Sequence, residues 1–432
     1  MWDTIVGVYD KPNFSAHIEY IFNLIFSVSR VNYHIMPLRK SKPEGFDLAK
    51  TLVISYGDIK PELKSKCQIH IYASGLLSED YLKLSSMPIT PLETYRRLPI
   101  IYRGHGEIDD FVKKSENLIE TNIDIIASCF FMLSRYEEVV LDIKDEYERF
   151  PAKASLAYKE GFLDRPIVNE YIKLLWGWIH SLMPHLERKT PWPENKEFAV
   201  CLTHDVDSLK RYSLLPPAIS IGGAIVRQKN PRLAFNIALD YLGCLLRLKK
   251  DPFDIFDYML DLEQKYGFKS SFYFMGGGSS EYDSGGTVKR TQVKRLVKWL
   301  EAAGCEIGLH PSYASYDNLG TMASEKNEMD KVVSNKSYGC RQHYLRWKTP
   351  DTWRVQEKAS LLYDTTLTFA DHAGFRCGFC LPFKPFDVTE NRRLNFWELP
   401  LTVMEGSLQN PNYQNLPPGE AYEEIIKLIE VV

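Results

Sequence analysis

The chain has 432 residues, with 53 basic and 56 acidic side chains and a formal net charge of −3. That balance excludes a bulk electrostatic affinity for nucleic acid or for an anionic membrane surface. Hydrophobic residues at 44% and charged residues at 25% are the mixture of a soluble globular chain of two or more domains, and no apolar run is long enough to span a bilayer.

The N-terminus carries Asp3 and Asp10 and no basic cluster, so it does not read as a secretory leader. Short apolar runs at 4–8, 51–54 and 68–72 predict strands, the second followed by the turn-like Tyr56-Gly57-Asp58. Residues 120–138 and 169–186 are apolar at helical spacing and predict two buried helices. The charged stretches 134–138 and 162–166 read as helix-end ion pairs and a turn. This first half is a mixed α/β domain, 1–195, without a visible reaction centre. The polar, proline-rich stretch from Lys189 to Lys196 has no apolar period and marks the junction to a second domain, 196–432.

Beyond the junction the pattern changes. Residues 198–203 predict a strand, and 252–266 a helix capped by Asp251. Residues 270–275 predict a strand that ends in Gly276-Gly277-Gly278, then 291–303 a helix and 306–310 a strand, with further strands at 361–367 and 396–403 and a last helix at 419–432. Strand alternating with helix predicts a parallel sheet with crossover helices, and in barrels of that kind the chemistry gathers at the C-terminal ends of strands. The eight cysteines are too sparse for a disulfide framework. Buried reduced thiols, and with them a cytoplasmic setting, are expected. Cys377 and Cys380 form a C-x-x-C with no second pair to complete a zinc site.

Three constellations at strand ends carry candidate chemistry. Thr203-His204-Asp205-Val206-Asp207 places two carboxylates at i and i+2, on one side of an extended backbone, where a shared cation would relieve their repulsion; a turn or a cap is the structural alternative. His310 closes a short apolar strand and opens the loop 311–316, and imidazole is the commonest protein metal ligand. The run 340–347 brings together Arg341, His343, Tyr344, Arg346 and Trp347, suited to orienting a carboxylate and lining a sugar site, or to an aromatic core with surface arginines.

Together these pieces resemble the polysaccharide deacetylase family, metal-dependent carbohydrate esterases with the chitooligosaccharide-deacetylase homology domain. The resemblance spans about 197–432; the first half resembles the accessory domain that precedes this region in bacterial proteins encoded near surface-polysaccharide genes. It implies a distorted, TIM-like (β/α) barrel. It also implies that Asp205 is the general base, Asp207 and His310 hold a divalent metal ion, zinc foremost, and Arg341 orients the base. The family's second motif histidine is replaced by Ala314, so His343, with His204 behind it, is the candidate for the remaining ligand. The closing strand with its histidine has no counterpart before Val432. Tyr313, Tyr344 and Trp347 are candidates to stack on sugar faces. The implied activity is removal of acetyl groups, N-acetyl before O-acetyl, from a sugar or polysaccharide. A catalytically degenerate module binding glycan or protein is the first alternative. A glycosyltransferase using Asp205-Val206-Asp207 to hold a nucleotide sugar is the second.

Overall fold

The structure is a computed structural model and describes residues 4–38, 51–62, 65, 67–211, 231–246, 248–283 and 287–432. The chain divides into two compact units, one comprising Met1–Ala199 and Tyr344–Val432, the other Val200–His343. The change of unit at residue 199 adjoins the proline-rich junction read from the sequence. Residues 344–432, placed with the second domain on sequence grounds, share a unit with the N-terminal half.

The first unit begins with a six-stranded sheet. Strands β1 (Thr4–Tyr9), β2 (Asn32–Pro37), β3 (Thr51–Gly57), β4 (Cys67–Tyr72), β5 (Val112–Lys114) and β6 (Leu118–Thr121) lie in the order β2-β1-β3-β4-β6-β5. All pairs are parallel except β5 with β6 at the edge. β1 and β3 are buried along their whole length, which is why they read as unbroken apolar runs: parallel strands are covered on both faces. Helix α1 (Ser15–Ser29) connects β1 to β2 and buries Ile18, Ile21, Phe22, Ile25 and Phe26. The single helix expected at 120–138 is three elements. Its start is strand β6, and helix α2 (Ile125–Leu133) begins only where the Asp124 carboxylate accepts from the Ala127 N–H. Arg135 then takes a left-handed conformation, φ 52°, and breaks α2 from α3 (Tyr136–Leu141). Helix α4 (Ile167–Leu182) follows, starting two residues before the expected point.

The second unit is built on three parallel strands, β7 (Leu202–Val206), β8 (Ser270–Phe274) and β9 (Glu306–Leu309), with β8 in the middle. Helices α5 (Pro231–Leu245) and α6 (Phe256–Tyr266) lie between β7 and β8 in sequence, and α7 (Thr291–Ala302) joins β8 to β9. Helix α8 (Leu319–Asp330) follows the loop after β9, capped by the Asn318 side chain on the Thr321 N–H. The expected strand–helix alternation is present, and among the described residues the sheet of this unit is open. β7 begins four residues later than predicted, because the apolar stretch 198–201 makes no ladder and Phe198 and Val200 are exposed.

In the first unit's C-terminal part, helix α9 (Asp351–Lys358) precedes two short parallel strands, β10 (Tyr363–Asp364) and β11 (Trp397–Glu398), and helix α10 (Pro418–Glu430) closes the chain. Glu398, in β11, is buried and accepts from Trp353 Nε1 at 2.9 Å. Among the described residues no helix is long and apolar enough to cross a membrane.

The charged stretch 134–138 forms ion pairs, as expected, but they are buried. Arg135 donates to Glu137 and Glu138, each at 2.8 Å, and Arg376 grips both oxygens of Glu138 at 2.8 and 2.9 Å. Burial would push the Glu138 carboxyl up, but the two guanidiniums more than offset it and hold its pKa near 2, below the ordinary 4.5. Removing one partner of a buried ion pair leaves uncompensated charge. Glu138→Leu should therefore cost about 3–5 kcal/mol in denaturant unfolding; a change below about 1 kcal/mol, the scale of a surface pair, would show the network to be dispensable. A depressed folded-state pKa also means that this contribution is present above pH 4.5 and lost as pH falls toward 2.

Candidate metal centre

Strand alternation sorts the residues of β7. His204 faces one side, where its Nε2 lies 3.2 Å from Ser270 Oγ and 3.5 Å from Glu263. Thr203 and Asp205 face the other side, toward Arg341, and Asp207 continues that parity just past the strand. From β9, the His310 N–H bonds to the Phe274 carbonyl at 2.8 Å, so the imidazole stands at the C-terminal edge of the same sheet. Residues 339–343 run alongside: Leu309 N–H bonds to Gly339, Arg341 N–H to Leu309 and His343 N–H to Pro311, each at 3.0 Å. Three chain segments thus deliver Asp207, His310 and His343 to one point.

The ligating atoms of these three residues all lie within 4.8 Å of one another, the one such group among the described residues. Asp207 Oδ1 is 3.3 Å from His310 Nε2 and 3.4 Å from His343 Nδ1, and the two ring nitrogens are 2.8 Å apart. Each ring's other nitrogen is committed. His310 Nδ1 meets the Arg341 carbonyl at 2.6 Å and His343 Nε2 meets the Tyr282 carbonyl at 2.9 Å. A carbonyl only accepts, so both of those nitrogens carry hydrogen, and the facing nitrogens are both lone pairs when the rings are neutral. Two lone pairs at this distance need a proton or a cation between them. Carbonyls holding the far nitrogens are the usual support of metal-bound histidines.

The donor set fits a divalent ion. Bonds of roughly 2.0–2.1 Å in a tetrahedron place ligand atoms about 3.3 Å apart, close to the two Asp207 distances and a small opening from the histidine pair. His310 and His343 are buried, while half of the Asp207 side chain is exposed, so one side of the group is open. Burial pushes the His310 pKa down, but Asp205 and Asp207 outweigh it and the net shift is upward. For Asp207, burial acts upward and is outweighed by the hydrogen bond and charge of His310, for a net lowering. Burial and the neighbouring His310 charge push His343 down.

Beside the triad, Arg341 donates to Asp205 Oδ1 at 3.2 Å and to Thr203 Oγ1 at 2.7 Å, and its guanidinium lies over the Tyr273 ring at 5.1 Å. Tyr273 is in register with Asp205 on one side and Gly308 on the other. A Cβ at Gly308 would come within 2.5 Å of the Tyr273 ring, so the missing side chain is what lets the ring lie where Arg341 stacks on it.

Of the residues singled out from sequence, Asp205, Asp207, His310, His343 and Arg341 come together, whereas His204 faces the other side of the sheet. Ala314 is exposed, and the third member of the group with Asp207 and His310 is His343. Tyr313 is half-buried against Tyr282, ring centroids 4.3 Å apart. Tyr344 and Trp347 belong to the first unit. Tyr344 packs on Tyr147 at 5.4 Å, and Trp347 is 3% exposed, edge-to-face on Trp353, with Nε1 donating to Thr349. Trp347 is a core residue, and its faces are not offered to a sugar. Burial pushes the thiols of Cys377 and Cys380 up, Cys380 to about 11, which leaves neither activated.

Several supporting residues gave no sequence signal. Asp283 accepts from the Tyr313 N–H at 2.9 Å, Glu325 from the Ser312 N–H at 2.8 Å, and Gln342 donates to the Ser312 carbonyl at 2.6 Å. Together they pin the loop that follows His310. Gln342 alone stood in view, inside the 340–347 cluster.

Residues 7–184 match the model of a family described as a family of unknown function (DUF7033). The match ends before the triad. No curated protein and no solved structure matches the chain.

Ala in place of His310 or His343 should weaken zinc binding by more than the roughly 10–100-fold lost when only a ligand's hydrogen-bond partner is removed. Titration calorimetry checks this; wild-type affinity in either variant would remove that histidine from the site. Because a proton otherwise sits between the rings, zinc uptake should release it, and the measured enthalpy should vary with the buffer's ionisation enthalpy. An enthalpy independent of buffer would contradict the shared proton.

Proposed function

We propose that the second unit is the core of a metal-dependent hydrolase of the polysaccharide deacetylase kind, removing acetyl groups, N-acetyl before O-acetyl, from a sugar or polysaccharide. The observation that carries this reading is the placement, at the ends of adjacent parallel strands, of an Asp-His-His donor set beside an arginine-held carboxylate. In this reading β7, β8 and β9 are the first strands of the family's distorted (β/α) barrel.

Zinc is the ion that best suits two imidazoles and one carboxylate with an open side. When bound, such an ion lowers the pKa of water and neutralises charge developing on an acyl oxygen. Asp207, His310 and His343 would hold it, and the carbonyls of Arg341 and Tyr282 keep both rings in the required tautomer. Asp205 takes the proton of the attacking water as general base. Arg341 serves Asp205 by position: it donates to Asp205 Oδ1, and its second hydrogen bond, to Thr203, fixes the direction from which the carboxylate is held. Tyr313, in the loop after His310, and the half-buried Tyr344 are the remaining aromatic candidates for a sugar face. The eight free cysteines suit a reducing compartment, and the cytoplasm is part of this reading.

Acetate release from N-acetylated oligosaccharides should depend on added zinc and stop with chelator. Asp205→Asn should lower the rate by about 10²–10⁴-fold, the range of a lost general base, with metal content unchanged. A broad panel of acetylated sugars giving no metal-dependent acetate would overturn the proposal. Loss of zinc from the Asp205 variant would move Asp205 from base to ligand.

A further inference from the structure

The C-terminal part of the first unit holds a pair of acids that the metal centre does not use. β10 and β11 are in register, so that Asp364 stands opposite Glu398. Both residues are 0% exposed, and their carboxyl groups hydrogen-bond to each other. Like charges directly opposite on paired strands repel, and burial removes the water that would screen them. Two carboxylates have no hydrogen to share, so that bond requires a proton on one of them.

The surrounding donors show which oxygen carries it. Asp364 Oδ1 accepts from Gln356 Nε2 and the Thr366 hydroxyl, and Oδ2 from the Thr366 N–H, each at 2.7 Å. Those bonds favour the ionised form of Asp364. On Glu398, Oε2 accepts from Trp353 Nε1, whereas Oε1 is buried and receives no donor among the described residues. A buried acceptor without a donor is costly, and the same atom carrying hydrogen becomes a donor. Nor does a cation compensate Glu398. The groups that face it are Asp364, the Trp353 indole, the Leu367 N–H and the Cys377 thiol. Helix α9, which supplies Trp353 and Gln356, directs Arg354 to Asp387 at 2.7 Å and Glu357 to Arg392 at 2.8 Å. Arg376, near the thiol, grips Glu138. Burial and the Asp364 charge push the Glu398 carboxyl well above the ordinary 4.5.

We infer that Glu398 is a carboxylic acid at neutral pH, its Oε1–H donating to Asp364, and that this shared proton is an alkali-sensitive latch holding β10 to β11. The inference is independent of the triad and of any hydrolysis there. The folded chain holds this proton more tightly than the unfolded chain does. The latch therefore contributes fully below pH 4.5 and is lost as pH rises from there through the raised folded value.

Infrared spectroscopy of the full chain, with and without carbon-13 glutamate, reads the proton. The expected result at neutral pH is an acid carbonyl band that shifts with the label and is diminished in Glu398→Gln, whose amide keeps a donor toward Asp364 but does not titrate. Asp364→Asn leaves Glu398 in place and removes the opposing charge, so its band should titrate away at lower pH than that of the unsubstituted chain. Denaturant unfolding gives a second readout. The folding equilibrium constant of the unsubstituted chain, relative to Glu398→Gln, should fall as pH rises above 4.5, by up to about tenfold per pH unit. Should Glu398→Gln fail to fold, the titration of Asp364→Asn carries the test. No label-sensitive band at neutral pH, an undiminished band in Glu398→Gln, an unchanged titration in Asp364→Asn or a stability ratio independent of pH overturns the inference.

Discussion

Two imidazole nitrogens facing each other at 2.8 Å, each ring already committed at its far side to a backbone carbonyl, form the constraint on which the second unit is organised. Neither ring can turn without giving up a buried hydrogen bond, and neither facing nitrogen carries hydrogen while its ring is neutral. The pair therefore demands positive charge between its members. Asp207, 3.3 and 3.4 Å away, is placed to neutralise that charge, and a group that so holds a proton can exchange it for a divalent ion.

Arg341 ties this constraint to the second carboxylate. Its carbonyl fixes the His310 ring, its guanidinium holds Asp205 and Thr203, and its own N–H is paired to Leu309. One residue thus sets the distance between the cation-demanding triad and the carboxylate beside it. The support reaches into the sheet, since the guanidinium rests on Tyr273, whose ring occupies the space left by Gly308. The loop after His310 is held separately, by Asp283, Glu325 and Gln342.

Much of this was legible in the sequence because strand ends punctuate it. Asp205, Asp207 and His310 each terminate or follow an apolar run, and the run's length alone places them at one edge of a parallel sheet. His343 and Arg341 were legible from a dense cluster of unlike side chains. His204 was ranked only behind His343; strand parity, which turns it away from Asp205, could have removed it. Trp347 was misjudged because aromatic composition does not distinguish a stacking face from a core residue. In the first unit, the helix read across 120–138 failed at its ends: apolar periodicity does not register the Asp124 cap or the left-handed Arg135, which only their hydrogen bonds explain. The stretch around Glu138 was read as helix-end ion pairs without their burial, since charge pattern carries no information on depth. The grouping of residues 344–432 with the N-terminal half depends on long-range packing and had no local signature.

X-ray absorption at the zinc edge tests the centre most directly. The account predicts, for the zinc-loaded protein, a shell of nitrogen and oxygen at roughly 2.0–2.2 Å with the multiple-scattering signature of two imidazoles. Sulfur at roughly 2.3 Å, as cysteine ligands would give, or a shell without imidazole would contradict it.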